Sequence, residues 1–572
     1  MAHIDLSRSY AVAELNGSGG IDRRNLSDGK CRIRDIINFR VKSDGSLEKR
    51  CGFTALADFP EKIRAEYVLS DELMFVLSGS QIYRVLPKTG AAFLEKEIST
   101  SESAACFFNY EGILYLLDGS EIYAYNGTTF VEVEGYVPLY IKDWVLGTNY
   151  SLNEPVNLLS NRIRIHFIFG DVIPGTFSIP IKISSIDAIY VNGVYRSSTK
   201  LFSISTLLTQ FISIDGSFNK GDEVVLFLSL DASSYPQRNI FTSMTHAACF
   251  GNGQDRNEFS SIAFYGGSEP DKLMYARHAS DSEMEAIRQI YTETLPLYVS
   301  ADDCLQTNFS AGITAVVPCS DSLMIFGADS TYIISESFSK PVSLSRSLGC
   351  FVNGGTLPIE NSAITMSRNG IFRWDPSVVF DNEYSVKCIS LPVNELISYD
   401  VPDGAIYHYA PKNEYWFHYS GTDRVLIYNT VLDIWYCFGG FSPDRFFEIN
   451  GSIGFVSDNA LYLFDDRASD DDGLPISAYI ESSIINFGDF NRHKKLARAM
   501  IKMSPNHTVA FSVTDAKENS IELSLSDNSG ERLGYIEKRV PCLRSRYYSV
   551  SLTHDSDENN VVIYSITMSA AK

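Results

Sequence analysis

One hairpin recurs six times along this chain. An apolar alternating run meets a short turn of Gly, Asp, Asn or Ser and resumes with an aromatic residue a few positions on. The copies are LMFVL-SGS-QIYRV at 73–85, ILYLL-DGS-EIYAY at 113–125, LMIF-GADS-TYIIS at 323–335, AITMS-RNG-IFRW at 363–374, YWFHY-SGTD-RVLIY at 415–428 and GFV-SDN-ALYLF at 454–464. Alternation broken by turn residues is the pattern of paired antiparallel strands. Gly, Asn and Asp suit the turns because they accept positive φ or hydrogen-bond their own backbone. The aromatic markers are spaced by 40 residues from Tyr83 to Tyr123, 40 from Tyr332 to Phe372, 56 from Phe372 to Tyr428 and 34 from Tyr428 to Tyr462. A period near 40 is that of a four-stranded propeller blade, and blades must stack around an axis because none buries both faces alone. Unrelated hairpins in several sandwiches would look the same locally; the spacing favours the array.

The predicted fold is therefore all-β: a β-propeller of six or seven blades with an inserted small β domain and a C-terminal β sandwich. Residues 1–60 form an N-terminal segment packing on the propeller and on neighbouring subunits. Residues 61–149 carry the first blades. The 209 residues between Tyr123 and Tyr332 break the repeat, and different strand material (RIRIHFIFG, TFSIPIKI, AIYVNGVYR, EVVLFLSL) places an inserted β domain at 150–236, ending in the turn-rich Asp231-Ala232-Ser233-Ser234-Tyr235-Pro236. Residues 237–467 hold the remaining blades, one of them built from HAACF, SSIAFYGG and KLMYAR over 246–277. The acidic run Asp465-Asp466-Arg467-Ala468-Ser469-Asp470-Asp471-Asp472-Gly473 reads as a linker into a sandwich at 468–572. Helix is scarce, with 281–289 the best candidate.

Composition excludes several classes. The 572 residues carry 70 acidic against 48 basic side chains, a formal charge of −22, the wrong sign for a surface that grips phosphate everywhere. Residues 1–52 run the other way, with ten basic groups, among them Arg23, Arg24, Lys30, Arg32, Arg34, Arg40, Lys42, Lys49 and Arg50, against seven acidic ones. That small excess reads as solvated or interface charge. The opening Met1-Ala2-His3-Ile4-Asp5 lacks the features of a signal peptide, and no 18-residue apolar run follows, so the chain is expected to be soluble, unexported and without membrane insertion. The ten cysteines (31, 51, 106, 249, 304, 319, 350, 388, 437 and 542) stand singly in hydrophobic segments and read as buried free thiols.

The N-terminal phrase Gly19-Gly20-Ile21-Asp22, then Ile37-Asn38-Phe39, then Asp44-Gly45-Ser46-Leu47-Glu48-Lys49-Arg50-Cys51-Gly52-Phe53 resembles the opening of the tail nozzle and head-stabilisation proteins of tailed bacteriophages, mainly short-tailed ones. Cys51 stands where that family usually has Pro. Phe264-Tyr265-Gly266-Gly267-Ser268, the segment 323–331, Ser367-Arg368-Asn369-Gly370-Ile371 and the segment 480–495 resemble further family segments in the same order. The resemblance implies a virion structural protein of the tail, a nozzle or head-tail connector below the portal and adaptor neck proteins. It implies a homo-oligomeric ring, usually a homohexamer, assembled in the host cytoplasm. The lumen would conduct or retain genomic DNA without specific binding, as in DNA ejection, and the exterior would hold tail fibres or spikes. An acidic lumen would let a duplex slide, whereas a basic one would trap it.

No catalytic, cofactor-binding or metal residues are assigned, and the chain is not expected to be an enzyme. The acidic run at 465–472 lacks the ligand spacing of a calcium loop. His408 and His418 are read as structural histidines on neighbouring strands. Arg492-His493-Lys494-Lys495 is read as an interdomain or subunit contact. Tyr83, Tyr123, Tyr332, Phe372, Tyr428 and Tyr462 are expected in the core between blades. The alternative is a propeller module for host glycan binding or hydrolysis, which would need converging tryptophans and carboxylates. The four tryptophans (144, 374, 416 and 435), three of them in strand patterns, argue against it.

Overall fold

In the computed structural model the first strands of seven sheets stand side by side in a closed ring. They are Ile63–Ser70, Cys106–Tyr110, His246–Cys249, Ala315–Cys319, Thr356–Ile359, Gly404–Tyr409 and Arg445–Ile449, each packed against the next and the last against the first. Each begins an antiparallel meander running outward from the axis. The molecule is a seven-bladed β-propeller with an inserted β unit and a C-terminal β sandwich. The structure describes residues 10–24, 31–98, 104–110, 112–196, 201–204, 211–231, 241, 243–249, 262–292, 294–302, 304–319, 322–335, 341–359, 362–380, 383–397, 400–526, 534–540, 543–556 and 561–571. Met1 to Asp5, Lys30, Cys542 and the turn from Ala232 to Pro236 lie outside the described residues.

The six hairpins are the second and third strands of blades 1, 2, 4, 5, 6 and 7. Their turns form as the side chains dictate: Asp118 Oδ1 accepts from Ser120 N (2.8 Å) and Glu121 N (2.7 Å), while Gly119 takes a φ of 84°. The second strand is buried on both faces, as in Ser362–Ser367 and Glu414–Tyr419, because neighbouring blades cover it on both sides. The third strand is wetter, and most of the aromatic markers on it sit at the margin of the core between blades. Tyr123 is buried, Tyr83, Tyr332, Tyr428 and Tyr462 are partly buried against the core, Phe372 is partly buried, and the Tyr83 and Tyr428 hydroxyls reach out to Gln81 and Asp433. In blade 5 the inter-blade ring is Trp374, two residues on, which meets Phe326 of blade 4 edge-on at 5.6 Å.

The ring closes non-covalently. Blade 7 takes its first three strands from 445–465 and its fourth, Gly52–Asp58, from the N-terminal segment, in register from Ala460 opposite Asp58 to Asp465 opposite Gly52. Gly52 has no alternative there, since a Cβ would stand 1.7 Å from the Asp470 carbonyl oxygen. The acidic run is not a free linker: Asp470–Asp471 and Leu474–Pro475 extend this sheet beyond Gly52–Asp58, with Asp471 opposite Phe53.

The sandwich is built from both ends of the chain. One sheet joins Phe39–Val41 and Leu47–Lys49 to Val562–Ala571, Lys494–Met503 and Gly534–Arg539, with Tyr10–Leu15 also on Val562–Ala571. The other joins Ile33–Ile37 to Ser477–Ser482, Tyr548–Asp555, Thr508–Asp515 and Ser520–Ser526, and Ile33–Ile37 also touches the outer strand of blade 6, making one nine-stranded sheet. These strands alternate, as sheets covered on one face should: Tyr548, Val550, Leu552 and His554 point inward. One hydrophobic core runs from blades 5–7 through the N-terminal segment into the sandwich.

The inserted unit leaves between blades 2 and 3. Its first strand is Leu139–Val145, earlier than the 150 read from the sequence, and its last is Glu223–Leu230. It is pinned to the helix Asp281–Arg288 and its following loop by Tyr291, whose hydroxyl donates to Asp187 at 2.6 Å while Arg162 lies 4.0 Å over its ring.

Candidate functional site

Two places concentrate charge. The first is the mouth of the propeller axis, where the inner strands begin and the turns between second and third strands return. A cavity of about 1030 Å³ opens there, lined from six blades, with Glu61, Lys62, Arg64 and Glu66 from blade 1, His246 from blade 3, Asp403 ahead of blade 6, and Asp444 and Arg445 at blade 7. The cations hold blade seams. Arg445 Nε donates to Glu66 Oε2 at 2.5 Å and Nη2 to Ile63 O at 2.9 Å, joining blades 7 and 1 where the ring closes. Arg64 donates to Gly79 O (2.8 Å) and Asp118 O (2.7 Å), joining blades 1 and 2. Lys62 lies 3.6 Å from Asp444.

Burial raises the Glu66 carboxyl above its ordinary range, against the pull of Arg445. Burial also pushes His246 down to about 4; its Nδ1 lies 2.9 Å from Thr245 Oγ1 and its ring stacks on Tyr265 at 5.0 Å. Among the described residues, Glu61 and Asp403 have no cation partner, so the mouth is left slightly acidic. The Glu66 carboxyl is clamped by the Arg445 guanidinium rather than free to pass a proton.

The second place is the junction of blade 6, blade 7 and the sandwich. Asn38, at a left-handed φ of 59°, accepts at Oδ1 from Arg50 Nε (2.7 Å) and Gly439 N (2.8 Å), and donates to Ser477 O (2.8 Å). Arg50, 2% exposed, forks onto both Asp471 oxygens at 2.7 and 2.5 Å, donates to Gly439 O, and sits among Phe53, Phe438, Phe441 and Phe464 at 5.4–5.8 Å. Beside it Arg40 pairs with buried Glu414, which also accepts from Trp416 Nε1 (2.9 Å) and the Tyr436 hydroxyl (2.6 Å). Lys49 turns into the sandwich, 3.2 Å from His554 Nδ1 and 2.6 Å from Ser556 O. Gly20, at a φ of 59°, passes so close to Trp435 that a Cβ would come 2.6 Å from its carbonyl oxygen.

Other residues weighed from the sequence fall apart in space. His408 stacks on Tyr415 at 4.5 Å, whereas His418 is buried opposite Ala405, several rungs away, with Nε2 3.1 Å from Thr422 O. In the 492–495 run, Lys494 points inward and donates to the carbonyls of Asp489, Arg492 and Arg546, so it serves the sandwich rather than a domain contact. Trp144, Trp374, Trp416 and Trp435 are all buried, and none lines the mouth. Among the described residues no group of three His, Cys, Asp or Glu could hold a metal, and no helix is long and apolar enough to cross a membrane. The nine described cysteines are free, and Cys249 is exposed rather than buried. The mouth and the Arg40–Glu414 pair were missed from sequence; the only signal is charge gathered just before inner strands, as at 61–64 and 444–445.

No family model and no curated protein matches the chain. It is similar to solved structures of propeller domains, each at 7% identity. The AfRom2 CNH domain matches over 72% of this chain and 99% of its own, with a TM-score of 0.36. The WD40 domain of SCAP from fission yeast matches over 72% and 98%, at 0.31, and the Neurospora crassa Pan2 WD40 domain over 72% and 95%, at 0.31. The propeller and its blade count rest on the closed ring of inner strands.

Proposed function

We propose that this chain is a structural subunit of a bacteriophage tail, a nozzle-like component that forms a ring below the portal and adaptor, conducts or retains the genome in its lumen, and offers its exterior to fibres or spikes. One observation carries the reading: the N-terminal residues that resemble the tail nozzle family are those that join the two halves of the molecule. Gly20, Asn38, Lys49, Arg50 and Gly52 each meet a close approach or a buried polar demand at the propeller–sandwich junction. A segment under that constraint is expected to keep its sequence wherever the architecture is used. The net charge of −22 suits a conduit that must not hold phosphate.

Unpaired Glu61 and Asp403 at the axial mouth favour the second reading, a propeller that binds host glycans through carboxylates. Antiserum raised against the purified protein separates the two. The tail reading expects it to decorate phage particles at the neck or tail. Absence of the chain from purified particles, together with binding or cleavage of host polysaccharide, would overturn it.

A further inference from the structure

Where the outer strand of blade 2 passes the loop after the helix Asp281–Arg288, a hollow of about 460 Å³ opens on the surface, walled by Ile113, Val131 and Leu295 and rimmed by Glu132 and Arg288. Thr294 also lines it, is 3% exposed, and has an Oγ1 with no hydrogen-bond partner. A buried hydroxyl left without a partner is unfavourable and marks a place where another polar group completes the surface. Among the described residues, neither Glu132 nor Arg288 has an ion-pair partner.

The inserted unit carries an exposed apolar turn with charges of both signs beside it. At its far end the turn Asp171-Val172-Ile173-Pro174 projects Val172, 77% exposed, and Ile173. Asp171 is bridged to Lys220 at 2.6 Å, and both side chains are largely exposed, so the pair is weak and free to exchange partners. Arg162–Ile168 starts beside Glu134, next to the hollow, and at the usual rise of a strand its seven residues carry the chain about 20 Å from that end before the turn. One chain cannot seat this turn in its own hollow.

We infer that the turn 171–174 of one copy seats in the hollow of the next. Val172 and Ile173 pack against Ile113, Val131 and Leu295. Asp171 takes Arg288, Lys220 takes Glu132, and the Thr294 hydroxyl gains a backbone partner in the turn. Knob and hollow are different surfaces, so the contact is head-to-tail, the kind that closes rings. The inference rests on the ring reading above and names the surface that makes the ring.

Charge reversal in the full-length protein tests it by light scattering over a range of concentrations, with thermal melting as the check on folding. Arg288→Asp and Asp171→Arg alone should each weaken self-association by about tenfold or more, because each sets like charges face to face. The two combined should recover assembly to within a few fold, because the pairing is restored with its signs exchanged. Val172→Asp should weaken assembly in either background. Wild-type rings that are indifferent to the single reversals and to Val172→Asp would overturn this contact and leave the ring reading standing. A wild-type chain that stays monomeric at every concentration, alone and with a neck complex, would overturn both.

Discussion

Arg50 shows how one residue couples distant parts of the chain. Its charge is buried and is tolerable only because Asp471, Asn38 and the Gly439 carbonyl surround it. Arg50→Met should destabilise the protein by about 3–5 kcal/mol in urea unfolding, since it strands the buried Asp471 carboxylate; a loss below about 1 kcal/mol would contradict the junction described above. In blade 5, Trp374→Ala should cost about 3–5 kcal/mol and Phe372→Ala only about 1 kcal/mol, the reverse of what the hairpin markers imply. His246 adds a pH dependence. Its folded pKa of about 4 lies below the ordinary 6.5, so below pH 6.5 the unfolded chain binds more protons and stability falls as pH drops toward 4. His418 and His408, also lowered by burial, act in the same direction. Melting temperatures from pH 7 to 4 should therefore fall less steeply in His246→Gln than in the wild type.

At the scale of elements, what could be read from sequence is what is decided locally. Turn residues and alternation mark the second and third strands of six blades because each hairpin is fixed within about a dozen residues. Blade 3 is fainter: positions 250–261 separate its first two strands, and a helix interrupts its outer edge. The closing strand Gly52–Asp58 has no local mark at all, since its partner is Ala460–Asp465. The acidic run looked solvated for the same reason, as the residue that neutralises Asp471 lies 421 positions away. The axial mouth gathers side chains from six blades, so no window of sequence contains it. Removing residues 1–58 deletes the fourth strand of blade 7 and four strands of the sandwich at once. This truncation should yield aggregated or protease-sensitive protein, whereas replacing 139–230 with a short linker should leave a folded propeller and sandwich; limited proteolysis and size-exclusion chromatography read both outcomes.

At the scale of the whole molecule, the shared core makes propeller and sandwich one body, with the inserted unit pinned to it through Tyr291 and Arg162. A rigid body of this kind suits repetition around an axis, and its excess of carboxylates suits a passage for DNA. The most direct test is the mass of the purified protein by light scattering, alone and after mixing with a portal–adaptor complex, with negative-stain images of the mixture. The tail account predicts six-fold rings seated on the adaptor; a chain that stays monomeric, ignores the adaptor and binds or cleaves polysaccharide would contradict it.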